Sequence, residues 1–380
     1  MIEAFVYPVS AVMKLWHWLF ASVLNVSNSP AWVASVVLLV VTVRALIAPL
    51  SWMSYKTGRL VVIMRPKLAA IQEQYGSDLT PEGVRKHELA TREVHKEHRY
   101  NPFAGCFPAL LQVPFFLGLY RLLLWMAVPE RAGGHATGVL SPEEVASFQQ
   151  ASLFGVPLPS YMSMAPEQFA HLGTTLDDVR SLAIPMLLSA VFFTTFNMIL
   201  AQLRTRSTLE WDNRTARVIY MLVWIMVPFI PLSIGMVGLT GKVPIALLLY
   251  WFTGNLWTLG QTIVLWWLLV RVHPLDEEVR AHIAASRDNR LEQRRELVDK
   301  KRSRRRRQFE ALTRPSTIIE VRRELAAEKA AEKRARAAEK TEKKDRARQR
   351  SQAKKEAARR DKELAAQRKP ARDGGDDQME

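Results

Sequence analysis

The sequence predicts an all-α integral membrane protein: a five-transmembrane-helix bundle with a cytoplasmic helical hairpin and a polar groove. Three observations lead there. Five apolar runs of roughly membrane-spanning length are separated by polar segments. Lys and Arg alternate between many and few in those segments, the bias that orients membrane proteins. One cation, Arg44, stands inside the first run, Ala31 to Leu50, where it must face water, a partner or the headgroups.

Composition agrees with this reading. At 380 residues and 48% hydrophobic content the chain would pass for a large soluble protein, were its apolar residues not gathered into a few runs. The net charge of +16 is equally uneven. Arg271 to Glu380 holds 34 Lys and Arg against 22 Asp and Glu, a net of +12, which leaves +4 for residues 1–270. The single cysteine, Cys106, excludes an intramolecular disulfide framework and has no metal-ligand spacing, so it reads as a small apolar filler.

In chain order, residues 1–30 read as an external interfacial helix. Met1 to Val26 is apolar and aromatic, with Trp16, His17, Trp18 and Phe20 near its middle, and it lacks a basic start and a small-residue cleavage site. A short extra span is the alternative reading. Asn25 and the stretch Ser27 to Pro30 supply a break before the first span, residues 31–52. Residues 53–101 read as a helical hairpin. Leu60, Met64, Leu68, Ile71 and Tyr75 line one helical face, Gly76 to Asp78 end that helix, and Thr80 before Pro81 and Glu82 caps a second, more polar helix. The run His87 to Thr91 superficially matches a zinc-protease helix, but Thr91 stands where the second His is required, so the metal reading is rejected.

The remaining spans are residues 105–128, 182–203, 218–239 and 243–270. Residues 129–181 form an external segment, whose Gly133, Gly134 and prolines suit short interfacial helices and loops, and residues 204–217 form a short cytoplasmic loop. Residues 271–380 are a basic cytoplasmic tail. Its KRSRRRR run from Lys301 and its alanine-rich mixed charge offer no apolar face to bury, so it reads as a solvated extension, disordered or intermittently helical. Orientation follows from Lys and Arg: nine in the hairpin, two in Pro129 to Ser181, four in Arg204 to Arg217. The hairpin, the short loop and the tail are therefore expected in the cytoplasm and the N-terminus outside.

No Asp, Glu, His or Lys lies within the five expected spans, which disfavours a proton-coupled carrier. The polar residues there are Arg44, Gln112, Asn197, Gln202, Asn255 and Gln261. Interhelical hydrogen bonding accounts for any one of them. As a set they are better placed than that. Arg44, Gln112 and Gln202 fall in the cytoplasmic half of the membrane, while Tyr250 and Gln261, eleven positions apart, differ by about 20° around their helix, with Thr258 within about 80°. Arg121, nine residues after Gln112 and nearer the outer end, reads as a snorkelling anchor. The pairs Pro108 with Pro114 and Pro228 with Pro231 suit kinked helices that splay a bundle. Arg44 itself has two physical readings: an anchor snorkelling about 9 Å to the interface, or the charge of a one-sided polar cavity. In such a cavity polar polypeptide waits while apolar polypeptide partitions into lipid.

Four stretches carry a further signal: VRALIAPL at 43–50, RPKLAAIQEQYG at 65–76, HKEHRYNPFAGCFPALLQVPFFLGLYRLL at 95–123, and LLLYWFTGNLWTLGQ at 247–261. Together, in this order, they resemble the YidC/Oxa/Alb membrane protein insertase family. The likeness covers residues 5 to 270, and the opening FVYPVSAVMKLWHW is most similar to actinobacterial members of the short bacterial form. It implies a five-helix core around a hydrophilic groove open to the cytoplasm and closed outside, with a mobile cytoplasmic hairpin. Arg44 matches the family's groove arginine, Gln112 its second-span glutamine, and Tyr250 with Trp251 its substrate-contacting aromatic pair. The client-contacting set expected is thus Arg44, Gln112, Gln202, Tyr250, Trp251, Thr258 and Gln261.

The function expected is a membrane protein insertase and membrane chaperone in the bacterial plasma membrane, working alone or with the Sec translocon, without cofactor or covalent catalysis. Its partners would be nascent membrane proteins and membrane lipids, and the working unit a monomer. The basic tail would reach ribosomal RNA or anionic lipid, a salt-sensitive attraction in either case. The rival reading from another class is a small-molecule transporter or channel with a basic cytoplasmic tail.

Overall fold

A computed structural model describes residues 2–105, 107–127, 138–313 and 318–367. The readings of Cys106, of Gly133 with Gly134, and of the last thirteen residues lie outside the described residues. The rest divides into two compact units, Met1–Arg59 with Asn101–Leu275 and Leu60–Tyr100 with Asp276–Glu380.

In the first unit, α1 (Ile2–Trp18) ends in a short wide-turn helix, Leu19–Val23, and the chain re-enters helix as α2 (Asn28–Tyr75), of which the part up to Arg59 belongs here. A short turn at Pro102–Gly105 leads into α4 (Phe107–Ala127), the preceding helix α3 (Pro81–Glu97) belonging to the other unit. Then come α5 (Pro142–Gln150), the two-stranded antiparallel hairpin β1 (Ser152–Leu153) and β2 (Val156–Pro157), and α6 (Pro166–His171). Three long helices complete it: α7 (Leu176–Ser207), α8 (Arg214–Thr240) and α9 (Ile245–Val272).

Among the described residues, α2, α7 and α8 are long and apolar enough to cross a membrane. Three of the five expected spans fall on these helices. The apolar part of α4, Gln112–Ala127, is shorter. α9 has 28 residues, but Asn255, Gln261 and its tryptophans dilute its apolar character. The expected end of the first span at residue 52 is no break in the helix: α2 runs on through Gly58 and Pro66.

The core of this unit gathers at the N-terminal ends of α2 and α9. Trp32 of α2 is fully buried, stacks on His17 of α1 at 3.8 Å between ring centroids, and donates from Nε1 to Ser147 Oγ of α5 at 3.1 Å. Lys14 of α1 pairs with Glu144 of α5 at 2.9 Å. The β-hairpin is tied to both long helices, Ser152 N donating to Ser29 Oγ and the amides of Ile245 and Ala246 donating to the carbonyls of Ser160 and Leu158. Val6, Val9 and Met13 bury one face of α1 in the same cluster. At its crossing with α4 a Cβ on Gly118 would lie 2.9 Å from the Phe5 backbone, so only glycine permits that approach. α7 and α8, by contrast, leave large apolar side chains such as Leu188, Phe192, Met221 and Leu232 exposed along their length, as helices facing lipid do.

In the second unit the end of α2 pairs with α3 (Pro81–Glu97). Thr80 caps α3, its side chain accepting from the Gly83 amide at 3.1 Å with Pro81 at the first helical position, as the sequence predicts. Leu60, Met64 and Val94 form a small buried cluster with Leu68, Ile71 and Tyr100 packed on it. The tail, expected as a solvated extension, is helical for most of its length: α10 (Glu277–Thr313) and α11 (Ile318–Gln367). Its Ala, Glu, Lys and Arg are strong helix formers, and pairs such as Glu339 with Lys343 and Glu342 with Arg346 sit one turn apart. Lys300 and Arg304 of α10 reach Glu332 of α11 at 2.6 and 2.7 Å and hold its carboxyl at about 2. α11 lies along α3 through Arg85–Asp361 at 3.1 Å, Lys354–Glu88 at 2.7 Å, and Arg350 Nη2, 3.1 Å from His87 Nδ1. Charge pairs carry much of this contact, with Val84 and Ala353 the small apolar residues buried on the two helices, so a search for an apolar face does not find it.

Candidate functional site

Arg44 of α2 is half-buried, and its Nε is shut from solvent without a hydrogen-bond partner. α9 faces it with bare backbone: a Cβ on Gly254 would stand 3.5 Å from Arg44 Nη2. One turn before Gly254 lies Tyr250, 6% exposed, whose phenol is close enough to Arg44 to interact electrostatically. α4 supplies the third wall. Gln112 Nε2 donates to Tyr250 Oη over a long 3.4 Å, and Phe116, one turn on, sets its ring 6.0 Å from that of Tyr250. Three helices thus bring Arg44, Gln112 and Tyr250 together. With no Asp or Glu in the expected spans, the guanidinium has no carboxylate of that kind beside it. A cation so held in low dielectric attracts an incoming anion far more strongly than it would in water.

The other expected residues are engaged elsewhere. Trp251 packs partly buried against the core. Thr258 Oγ1 donates to the Gly254 carbonyl of its own helix at 2.8 Å, and Gln261 accepts from Trp257 Nε1 at 3.1 Å while its own Nε2 is buried without a partner. Gln202 is 4% exposed and donates to the Tyr220 carbonyl at 3.0 Å, joining α7 to α8. Asn255, weighed in the sequence for interhelical bonding, does bond across helices: Thr194 Oγ1 and Asn197 Nδ2 of α7 donate to its Oδ1 at 3.2 and 3.4 Å. Among the described residues no group of three or more His, Cys, Asp and Glu is placed to hold a metal.

Sequence reasoning missed a second polar cluster. Tyr55 of α2 shares a 3.2 Å hydroxyl contact with Thr262 of α9, and the Arg204 guanidinium of α7 lies over the Tyr55 ring, 4.9 Å from its centroid. A signal for Tyr55 was available, since it follows Arg44 by eleven residues and so returns to the same face of the helix within about 20°. Arg204 gave none, because it opens a basic segment and reads as part of a loop.

Comparison with known proteins adds an independent line. Residues 23–268 match the family described as 60Kd inner membrane protein. The chain is 43% identical over 304 residues to the membrane protein insertase YidC of Corynebacterium efficiens, covering 78% of this chain and 75% of that protein. The YidC of Corynebacterium glutamicum is 40% identical over 297 residues, covering 76% and 69%. That of Mycobacterium tuberculosis is 32% identical over 268 residues, covering 67% and 70%.

Proposed function

The chain belongs to the 60Kd inner membrane protein family, in its actinobacterial YidC type, and on that premise we propose that it inserts proteins into the membrane and chaperones them there. The protein is read as multi-pass in the plasma membrane, with α4 and α9 joining α2, α7 and α8 as five spans, the N-terminus outside and the tail in the cytoplasm. The single observation that carries the reading is the setting of Arg44: a half-buried guanidinium without a carboxylate from the spans, walled by Gln112, Tyr250 and the backbone at Gly254. The packing of α1, α5 and the β-hairpin at the N-terminal ends of α2 and α9 supports closure on the outer side.

Function follows from these parts without a covalent step or a cofactor. A client's hydrophilic segment enters from the cytoplasm, where Arg44 draws its acidic groups and Gln112 and Tyr250 offer hydrogen bonds in place of water. Its apolar segment meets Trp251 and the exposed apolar faces of α7 and α8 and leaves sideways into lipid. The path across hydrocarbon is shortened by the depth of the polar chamber, which lowers the desolvation barrier of the translocated segment. Thr258 and Gln261 belong to the polar lining of this path, while Gln202, buried and bonded to the Tyr220 carbonyl, ties α7 to α8 beside it. The protein acts as a monomer, alone or beside the Sec translocon. A transporter of small molecules is disfavoured by the absence of carboxylates and histidines in the spans. Depletion of the protein in its host is expected to impair insertion of one- and two-span membrane proteins with short translocated tails. Normal insertion of every such client on depletion would overturn the proposal.

A further inference from the structure

We infer that Arg204, seated on the ring of Tyr55, is a second client-binding cation, which takes an acidic side chain of the hydrophilic segment before Arg44 receives it. This rests on the insertase reading above. Three helices build the site: α2 gives Tyr55, α7 gives Arg204 and α9 gives Thr262. The Thr262 hydroxyl, 3.2 Å from Tyr55 Oη, fixes the ring on which the guanidinium rests at 4.9 Å.

A guanidinium stacked by one face keeps its in-plane N–H groups available, and that plane is where a carboxylate binds two-pronged. Arg204 sets its Cζ over the Tyr55 ring, 4.9 Å from the centroid. Its Nε is buried and has no hydrogen-bond partner, while the residue as a whole is half-buried. The ring contact by itself explains a lock between α2 and α7, but not a donor left buried and empty, which costs stability unless something fills it.

The second cation is also in line with the first. From Arg44 to Tyr55 is about 16 Å along α2 with about 20° of rotation. From Gly254, opposite Arg44, to Thr262, opposite Tyr55, is about 12 Å along α9. The two helices therefore set two cations at similar intervals along one path, Arg204 nearer the C-terminal ends of α7 and α9. A carboxylate moving from that end passes Arg204 first. The ligand chemistry is a carboxylate carried by extended polypeptide: an Asp or Glu in the translocated segment of a client.

The test uses the purified full-length protein in proteoliposomes and one single-span client in two forms, with two Asp in its translocated segment or with Asn at both places. Arg204→Gln is expected to lower insertion of the Asp form by about fivefold or more while the Asn form is inserted as by the unaltered protein. Tyr55→Leu, which removes the ring, is expected to reproduce that selective loss. Arg204→Glu is expected to favour a third form of the client carrying two Lys. Equal loss on the Asp and Asn forms makes Arg204 a structural lock and overturns the inference, as does no loss on either. Failure of the unaltered protein to insert any form overturns the insertase reading, and this inference with it.

Discussion

At the residue scale the account turns on Arg44. A half-buried guanidinium whose Nε is shut from solvent and unfilled is costly, and here it is kept against Gly254 and near Tyr250, a setting that an inert anchor does not need. Arg44→Lys keeps the charge and is expected to retain most insertion, whereas Arg44→Ala is expected to reduce insertion of acidic clients by about tenfold, the order of effect for one partner removed from a desolvated charge pair. Parallel insertion assays on acidic and neutral clients check this; equal activity of all three proteins on both would return Arg44 to the snorkelling role. This residue was legible in the sequence because a cation inside an apolar run stands out. Tyr250 and Gln112 gained their meaning from the family resemblance, and their bond to each other only from the fold. Gln202 has the same chemistry as Gln112 but faces α8, a difference of helix rotation that spacing along one chain does not encode.

At the scale of elements, capping and turn residues mark the helix boundaries most sharply. The Thr80–Pro81 cap fixes the start of α3, and Gly76 to Asp78 separate it from α2. Boundaries marked by polarity alone were less legible, since α2 passes from apolar to polar without a backbone reason to stop. The tail was opaque for a related reason: helices held by charge pairs leave no apolar stripe to read. Its contact with α3 carries a pH dependence. Burial and then Arg350 oppose a positive charge on His87, with Glu88 acting the other way, so the docked His87 has a pKa below its ordinary 6.5. The docked form consequently binds fewer protons than the free one, and docking strengthens as pH rises. Contact between α11 and α3 is expected to be strongest above that ordinary value and to weaken as pH falls below it. Energy transfer between dyes on the two helices measures it, and His87→Gln should remove the pH dependence while keeping the contact. A signal that stays constant as pH falls through 6.5 would refute the role of His87.

At the scale of the whole molecule, the proposed five-span insertase with a basic cytoplasmic tail predicts separable parts. Truncation after Pro274 leaves the unit formed by Met1–Arg59 and Asn101–Leu275 almost whole and is expected to yield a folded membrane protein. The removed tail holds a net +11, and its loss should weaken co-sedimentation with ribosomes at low salt, the difference shrinking as salt rises. Equal binding by the two proteins at every salt would assign the tail another role. The membrane class and three of the expected spans were legible in the sequence, because hydrophobic runs survive in one dimension. How three helices wall one guanidinium did not survive, because it depends on which residues meet across helices. The central claim, that this walled chamber receives the hydrophilic part of a client, is tested most directly by photocrosslinking. A photoreactive residue at position 112 or 250, in ribosome-bound complexes with a client stalled partway through insertion, is expected to capture the segment just before the client's first apolar stretch. Crosslinks from both positions to lipid alone, with the client captured only from the outer surfaces of α7 and α8, would contradict it.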